Sequence, residues 1–151
     1  MVIKFSGHYL YNLDSKGRVS IPSKLREVIS ERYTPDRLII TTDFDKCLVA
    51  YPLEKWAEIE EKIESLPTMK REVKVFMRHF ISAATECELD SQGRILIPPA
   101  LREYAGLNKE VYIIGLTFKI EIWDRGEWEK LSSREELEKS EGILADLGVP
   151  I

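Results

Sequence analysis

The sequence predicts a mostly β protein with helices, of the α+β class, in which one structural unit occurs twice. The first indication is a repeated segment: residues 14–27 and 90–103 lie 76 positions apart and are identical at nine of fourteen positions. The second is an alternation of apolar side chains, typical of strands, around both segments. The third is length, because 151 residues shared by two units leave each near the lower limit for an independent core. We therefore expect the two copies to share one core.

The first copy is predicted to begin with a half-buried strand over residues 3–13, where apolar side chains nearly alternate. A turn is expected at residues 14–17, and a second strand follows it. Pro22 suits the first turn of a helix, where its missing N–H costs nothing. The remaining elements predicted for this copy are a short amphipathic helix over about 23–31 and strands at 38–42 and 47–51.

Two linking helices, separated by Pro67, are predicted from apolar residues at spacings of three and four. The second copy should repeat the order of the first. Trp123 and Trp128 are five positions apart, as Tyr51 and Trp56 are, and we expect these aromatic residues to lie in the core. The predicted organisation has four parts: a first unit (5–53), linking helices (54–80), a second unit (81–125) and an acidic helical tail (126–151).

Composition and residue spacing argue against several classes of protein. The chain is 44% hydrophobic and 32% charged, which is ordinary for a soluble globular protein, and it has no apolar run long enough to span a membrane. Its first residues lack the layout of a signal peptide, so a cytoplasmic location is expected. The cysteines and histidines are scattered singly along the chain, at Cys47, Cys87, His8 and His79. We therefore expect the cysteines to be packed thiols, and we expect no metal site and no cofactor.

The net charge of −4 conceals an uneven distribution. Residues 121–151 contain nine acidic and four basic side chains and carry −5, which leaves +1 for residues 1–120. Four basic side chains and no acidic one lie within residues 16–26. Because local charge steers an anionic partner more than total charge does, this segment is a candidate basic edge.

The simplest interpretation of the repeated motif is a structural turn. Asp14 and Asp90 would accept hydrogen bonds from their own turns, and Gly17 and Gly93 would supply a positive φ. Each arginine that follows would then only pair with its aspartate.

A second interpretation is contact with DNA. An arginine can donate two parallel hydrogen bonds to guanine, glutamine can do the same for adenine, and a two-stranded ribbon fits the major groove. A lysine at an exposed turn suits a phosphate group. The candidate DNA-binding residues are Lys16, Arg18, Lys24, Arg26, Gln92 and Arg94.

The repeated aspartates raise a third possibility, an aspartic protease in which two related lobes each supply one carboxyl group. Those enzymes require Asp-Thr/Ser-Gly without interruption, whereas one residue intervenes here. An arginine four positions later would also hold each aspartate ionised. The chain contains no GxSxG, P-loop or HExxH motif, so no enzymatic activity is expected.

Over residues 1–140 the chain resembles the MraZ family of bacterial transcriptional regulators, because it contains the D-x-x-x-R pattern twice, ending at Arg18 and at Arg94. The resemblance implies two AbrB/SpoVT/MazE-type swapped-hairpin units that interlace in a β-barrel with pseudo-two-fold symmetry. Arg18 and Arg94 match the family's DNA-contacting arginines. Lys16 is replaced by Gln92 in the second copy, and Lys24 by Ala100, so the copies are expected to contribute unequally.

The resemblance also implies a function and an assembly. The expected function is sequence-specific repression of the division and cell-wall gene cluster, through repeated promoter sites, by a nucleoid-associated ring of eight or twelve subunits. Avidity would then offset the weak binding of one protomer. An alternative is an antitoxin-like or scaffolding module that binds a protein through the acidic tail.

Overall fold

The computed structural model describes residues 3–131 and 133–150. Within these residues there are eight strands: β1 (His8–Asn12), β2 (Arg18–Ser20), β3 (Arg37–Thr42), β4 (Leu48–Tyr51), β5 (Thr85–Glu88), β6 (Arg94–Leu96), β7 (Glu110–Leu116) and β8 (Lys119–Asp124). The same described part of the chain has six α-helices: α1 (Ser23–Arg32), α2 (Leu53–Glu64), α3 (Arg71–Phe76), α4 (Pro99–Ala105), α5 (Arg125–Leu131) and α6 (Arg134–Asp146). The α+β class predicted from the sequence is confirmed.

The main sheet is antiparallel and mixes strands from both copies. Its six strands run in the order β1-β7-β8-β4-β3-β5. Exchanging each strand of the first copy for its counterpart in the second reverses this order, so the sheet has a pseudo-two-fold axis between β4 and β8. The first strand of each copy pairs with the third strand of the other copy. The two copies therefore interlace, and neither has a complete sheet of its own.

The second sheet is a two-stranded ribbon of β2 and β6, with Val19 opposite Ile95 at its centre. The amide of Ile21 donates to the carbonyl of Gly93, and the amide of Ile97 donates to the carbonyl of Gly17, both at 2.9 Å. The ribbon is short because Pro22 and Pro98, which have no N–H to donate, come immediately after Ile21 and Ile97.

The strands do not form the closed barrel that the family resemblance implied. Among the described residues, β1 and β5 are the edge strands of an open six-stranded sheet. The strands that could have joined those edges are β2 and β6. They are three residues each and pair with one another instead.

The main hydrophobic core lies between the open sheet and the ribbon and contains side chains of both copies, as expected for two copies too small to fold alone. Val19 and Ile95 contribute to it from the ribbon, and Leu38 and Ile113 from the sheet, all at most 1% exposed. Removing such side chains from water is the main favourable term in folding. The equivalent pairs Tyr51–Trp56 and Trp123–Trp128 each have ring centroids 5.9 Å apart, which extends the repeat into the packing.

The helices follow the predicted pattern with one local difference. The chain continues from α3 into a π-helical turn, Met77–Ile81, where a single α-helix was expected. Thr41 and Thr42 hold this turn through hydroxyl groups that donate to the carbonyls of Phe80 and His79, at 2.6 and 3.0 Å. Gly106, with φ of +61°, ends α4.

The two cysteines are packed thiols, as predicted, because both side chains are buried and neither is in a disulfide. Within the described residues, no helix combines the length and the apolar character needed to cross a bilayer.

Candidate nucleic-acid interface

The first motif forms a tight turn organised by one carboxylate. Oδ1 of Asp14 accepts hydrogen bonds from the amides of Lys16 and Arg18, at 2.9 and 2.8 Å. Oδ2 accepts one from Nε of Arg18 at 2.8 Å. Gly17, with φ of +88°, closes the turn by donating its amide to the carbonyl of Asp14 at 3.0 Å. The amide of Arg18, its guanidinium and the amide of Lys16 together lower the pKa of Asp14 to about 2.

The second motif repeats this geometry. Oδ1 of Asp90 accepts from the amides of Gln92 and Arg94, at 2.9 and 3.0 Å, and Oδ2 accepts from Nε of Arg94 at 3.0 Å. Gly93 has φ of +74°. The amide of Arg94 is the largest cause of a lowered pKa for Asp90. The aspartates and glycines therefore structure both turns, and the arginine–aspartate ion pair of the simplest interpretation is confirmed.

The ribbon brings the two arginines together on its outward face. Val19 and Ile95 point into the core, so their neighbours Arg18, Ser20, Arg94 and Leu96 face away from it. Arg18 lies opposite Leu96, and Arg94 lies opposite Ser20. The arginines are therefore diagonal neighbours across the two strands, a relation that corresponds to about 7–8 Å in antiparallel sheets.

Each arginine is held by an aspartate and still has donors to offer. The ion pair engages Nε alone, and a guanidinium carries four further N–H groups on its terminal nitrogens. The structure records no partner for those groups among residues 3–131 and 133–150. The side chains of Arg18 and Arg94 are 33% and 28% exposed. Two guanidinium groups held in this way are each suited to donate a pair of parallel hydrogen bonds to two acceptor atoms in one plane.

Arg26 is located differently from the arginines of the ribbon. Its Nε donates to the carbonyl of Ile21 at 3.0 Å, and its side chain covers the turn of the other copy. A Cβ atom built on Gly93 would lie 2.6 Å from Nε of Arg26. Arg26 therefore joins the two copies, in addition to being exposed near the ribbon.

Arg102 is the counterpart of Arg26 and was absent from the sequence-based candidates. Its Nε donates to the carbonyl of Ile97 at 3.0 Å, and its Cζ would lie 2.6 Å from a Cβ atom on Gly17. The signal that could have identified it is the repeat itself, because Arg102 occupies the same position in the second motif as Arg26 in the first.

The remaining candidates lie on the surface around the ribbon. Lys16 and Gln92 are exposed at the equivalent turn positions, and Lys24 is exposed in the first turn of α1. No ion pair of Lys16 or Lys24 occurs within the described part of the chain. Their ammonium groups are therefore available to bind an anion. The second copy has no lysine at either equivalent position.

The geometry argues against a protease dyad. Such a dyad requires one carboxyl group to be held protonated by the other. Here each aspartate is bonded to its own arginine, and the pKa of each is lowered.

Asp43, Cys47 and Glu121 bring three potential metal-ligating atoms within 4.8 Å of one another. The Cys47 thiol donates to Asp43 at 3.7 Å, and the Trp123 indole donates to Glu121 at 2.9 Å. Burial raises the pKa of Cys47 well above its usual range and also raises that of Glu121. Within the chain these three side chains already take part in hydrogen bonds, and Cys47 remains a packed thiol.

Comparison with known proteins matches the internal repeat. The family model described as "MraZ protein, putative antitoxin-like" matches twice, over residues 4–79 and 80–145. The chain is 49% identical over 148 residues to the transcriptional regulator MraZ of Acetivibrio thermocellus, covering 96% of this chain and 99% of that protein. It is 45% identical over 132 residues to the transcriptional regulator MraZ of Desulforamulus reducens, covering 87% and 89%. It is 47% identical over 126 residues to that of Moorella thermoacetica, covering 83% and 85%.

Proposed function

The chain belongs to the MraZ family of transcriptional regulators, and from this membership we propose that it is a sequence-specific DNA-binding repressor. Its targets would be repeated promoter sites of the division and cell-wall gene cluster, including its own promoter. It would act in the cytoplasm, on the nucleoid, as a ring of eight or twelve subunits. The proposed DNA-contacting residues are Lys16, Arg18, Lys24, Arg26, Gln92 and Arg94.

The observation that carries the proposal is the outward face of the ribbon. Arg18 and Arg94 lie diagonally on a two-stranded ribbon, the kind of element that the major groove admits. The aspartate that accepts from each Nε fixes the side chain before DNA arrives, so less rotamer entropy is lost on binding. We propose that the terminal N–H groups donate to guanine O6 and N7, while Lys16 neutralises a phosphate.

Assembly would supply the affinity that one protomer lacks. The chain is acidic overall, at −4, and one ribbon offers few cations. Several ribbons on one ring would meet repeated sites together, and linked binding of this kind commonly raises avidity by about 10²–10⁴-fold.

The test is binding of the full-length protein to the DNA upstream of its own gene, with unrelated DNA of equal length as competitor. We expect Arg18→Ala and Arg94→Ala each to weaken specific binding by about 5- to 150-fold, because a bidentate base contact is worth about 1–3 kcal/mol. Arg125→Ala is the matched control. Arg125 is also held by carboxylates, Glu129 at 2.9 Å and Glu110 at 3.0 Å, but lies outside the ribbon.

Unchanged affinity of both ribbon variants would refute the proposal. A wild-type protein without DNA affinity at about 0.1 M salt, combined with capture of a protein partner by the tail, would favour the antitoxin-like alternative.

A further inference from the structure

Helix α6 is locally well formed but lacks a packing surface within its own chain. Ser133 caps it by accepting the amide of Glu136 at 3.3 Å, and Arg134 pairs with Glu138 at 3.3 Å. None of its thirteen residues, all of them described, is buried. Isolated helices of about this length are marginal in water, and most helices gain their stability from packing an apolar face. A stable α6 therefore needs a partner surface.

The side of α6 that should pack is an apolar stripe. Leu137, Leu144 and Leu147 follow one another at spacings of seven and three, which places them on one face, with Ile143 beside them. Leu137 is 69% exposed and Leu147 is 73% exposed. The helix carries five acidic and two basic side chains, so its net charge is −3.

An apolar groove of about 580 Å³ lies between α3 and the loop that joins β3 to β4. Phe44, Val75, Phe76 and Tyr104 are among the residues that line it. Phe44 is 87% exposed, and its ring stacks on that of Phe76 with centroids 5.6 Å apart. The exposed ring of Phe44 extends the apolar lining of the groove into one contiguous patch, and such patches mark interaction sites.

The segment that forms one side of the groove is complementary to α6 in charge. Residues 69–80, which include α3, carry four basic side chains and one acidic, a net charge of +3. The lining itself is mixed, because it contains Arg71 but also Asp43 and Glu72, so the excess positive charge lies on the neighbouring side chains Lys70, Lys74 and Arg78. The occupant suited to an apolar groove beside a basic helical segment is an amphipathic acidic helix, and α6 has both properties.

The groove that α6 can reach is that of another copy. Only two residues separate α5 from α6. The position of α5 is fixed by Trp128, which contacts Trp123, and by Glu127, which pairs with Lys46 at 3.5 Å. So short a connection limits how far α6 can move, and in its observed position none of its residues is buried. A neighbouring chain can approach α6 without moving either anchor.

We propose that the apolar stripe of α6 docks in the Phe44–Val75 groove of a neighbouring copy, so that each chain donates one helix and receives one. Such a heterologous contact generates a closed ring when its rotation closes. The inference deepens the assembly part of the proposed function and rests on it, whereas contact between the ribbon and DNA does not depend on it.

Sedimentation of the full-length protein tests the docking with one variant on each side. Leu144→Asp places a charge in the stripe, and Val75→Asp places one in the groove, where Val75 is 39% exposed. We expect each variant alone to sediment as the 17.5 kDa monomer. Gly142→Asp is the matched control, since it adds the same charge on the opposite face of α6, where a Cβ atom meets nothing within 4 Å. It should assemble like the wild type.

A mixture of the two variants gives the decisive result. The Val75→Asp chain keeps an intact helix and the Leu144→Asp chain keeps an intact groove, so we expect a heterodimer of twice the monomer mass and no larger species. If Val75→Asp does not fold, Phe44→Asp replaces it, because Phe44 is 87% exposed and does not belong to the core.

Three outcomes would overturn the docking. If the wild type assembles and both variants assemble to the same size, the ring is retained and this interface is excluded. A monomeric wild type would remove both the ring and the docking, while DNA binding by the ribbon would still be measured separately with Arg18→Ala. Variants that do not combine on mixing would indicate docking within one chain or onto a different protein.

Discussion

Around Asp14 and around Asp90 the chain makes the same set of hydrogen bonds, to within 0.2 Å, yet the side chains beside the two turns differ. The first copy presents Lys16 and Ser20 where the second presents Gln92 and Leu96, and Leu96 is 55% exposed. Interior positions of the ribbon are nearly invariant between copies. Duplication has therefore preserved what the shared core requires, together with the outward arginines Arg18 and Arg94, while the other outward positions have diverged.

The same contrast extends to the periphery of the two copies. The loop between β3 and β4 has five residues and carries Phe44, whereas β7 and β8 are joined by two residues. After the first copy, the π-helical turn that continues α3 is held against the sheet by the hydroxyl groups of Thr41 and Thr42. In the second copy the last helix, α6, is exposed along its length. The groove thus lies on the first copy, and the exposed helix α6 belongs to the second.

The largest effect that would test the equivalence of the two turns comes from Gly17→Ala and Gly93→Ala. Both positions have φ between +70° and +90°, where a Cβ atom is strained by about 1–3 kcal/mol. The added methyl group would also displace the guanidinium of Arg102 or Arg26. We expect similar losses in the free energy of unfolding for the two variants, measured by urea denaturation.

The matched control for these glycine variants is Gly142→Ala. Gly142 lies in a helix and its Cβ position is open, so this change should raise stability by up to about 1 kcal/mol. Losses at Gly17 and Gly93 that differ by more than about 1 kcal/mol would mean that the two turns are not equivalent.

Much of the comparison could be predicted from the sequence, because its signals are local. The Asp-Ser-x-Gly turns, the proline at the start of each first helix and the apolar alternation each depend on a few neighbouring residues. The expectation of one shared core followed from size alone. Trp123 and Trp128 were identified as equivalents of Tyr51 and Trp56 by spacing, and their rings confirm it.

What could not be predicted depends on contacts between the copies. Alternation indicates a strand but does not identify its partner, so neither the pairing of β2 with β6 nor the open sheet could be derived. Arg102 was missed because its role requires the turn of the other copy to lie beneath it. Phe44 was missed because a single aromatic residue in a polar loop produces no periodic signal.

A smaller effect that would sharpen the comparison is the response to acid. The pKa of Asp14 is lowered to about 2 in the folded protein, and that of Asp90 is lowered as well. A lowered pKa means that the stabilisation is complete above the unfolded value of about 3.9 and is lost as the pH falls through the folded value. We therefore expect wild-type stability to decrease between about pH 4 and 2, measured by denaturation at each pH.

Asp14→Asn and Asp90→Asn should each be less stable than the wild type at pH 7 and should flatten this acid dependence. Glu141→Gln, a change at an exposed residue of α6, is the control and should leave the dependence unaltered. An acid dependence that both asparagine variants retain in full would show that the turn carboxylates do not carry it.

The smallest effect concerns the one charge by which the two turn tips differ. Lys16→Gln makes the first turn resemble the second, and Gln92→Lys makes the second resemble the first. If Lys16 neutralises one phosphate, the first change should reduce the slope of log affinity against log salt by about 0.9 per bound protomer, and the second should increase it by the same amount. The measurement is binding to the upstream DNA at several salt concentrations.

The double variant Lys16→Gln/Gln92→Lys exchanges the charge between the copies while keeping the total at −4. Equal use of both turn tips predicts that its salt slope and affinity match the wild type. If the copies contribute unequally, the salt slope of the double variant matches the wild type, but its preference among DNA sequences does not. The reason is that the lysine then lies beside the strand that carries Leu96 rather than the strand that carries Ser20. A slope that none of the three variants alters would exclude phosphate contact at either turn tip and would leave Arg18 and Arg94 as the ribbon's only proposed contacts.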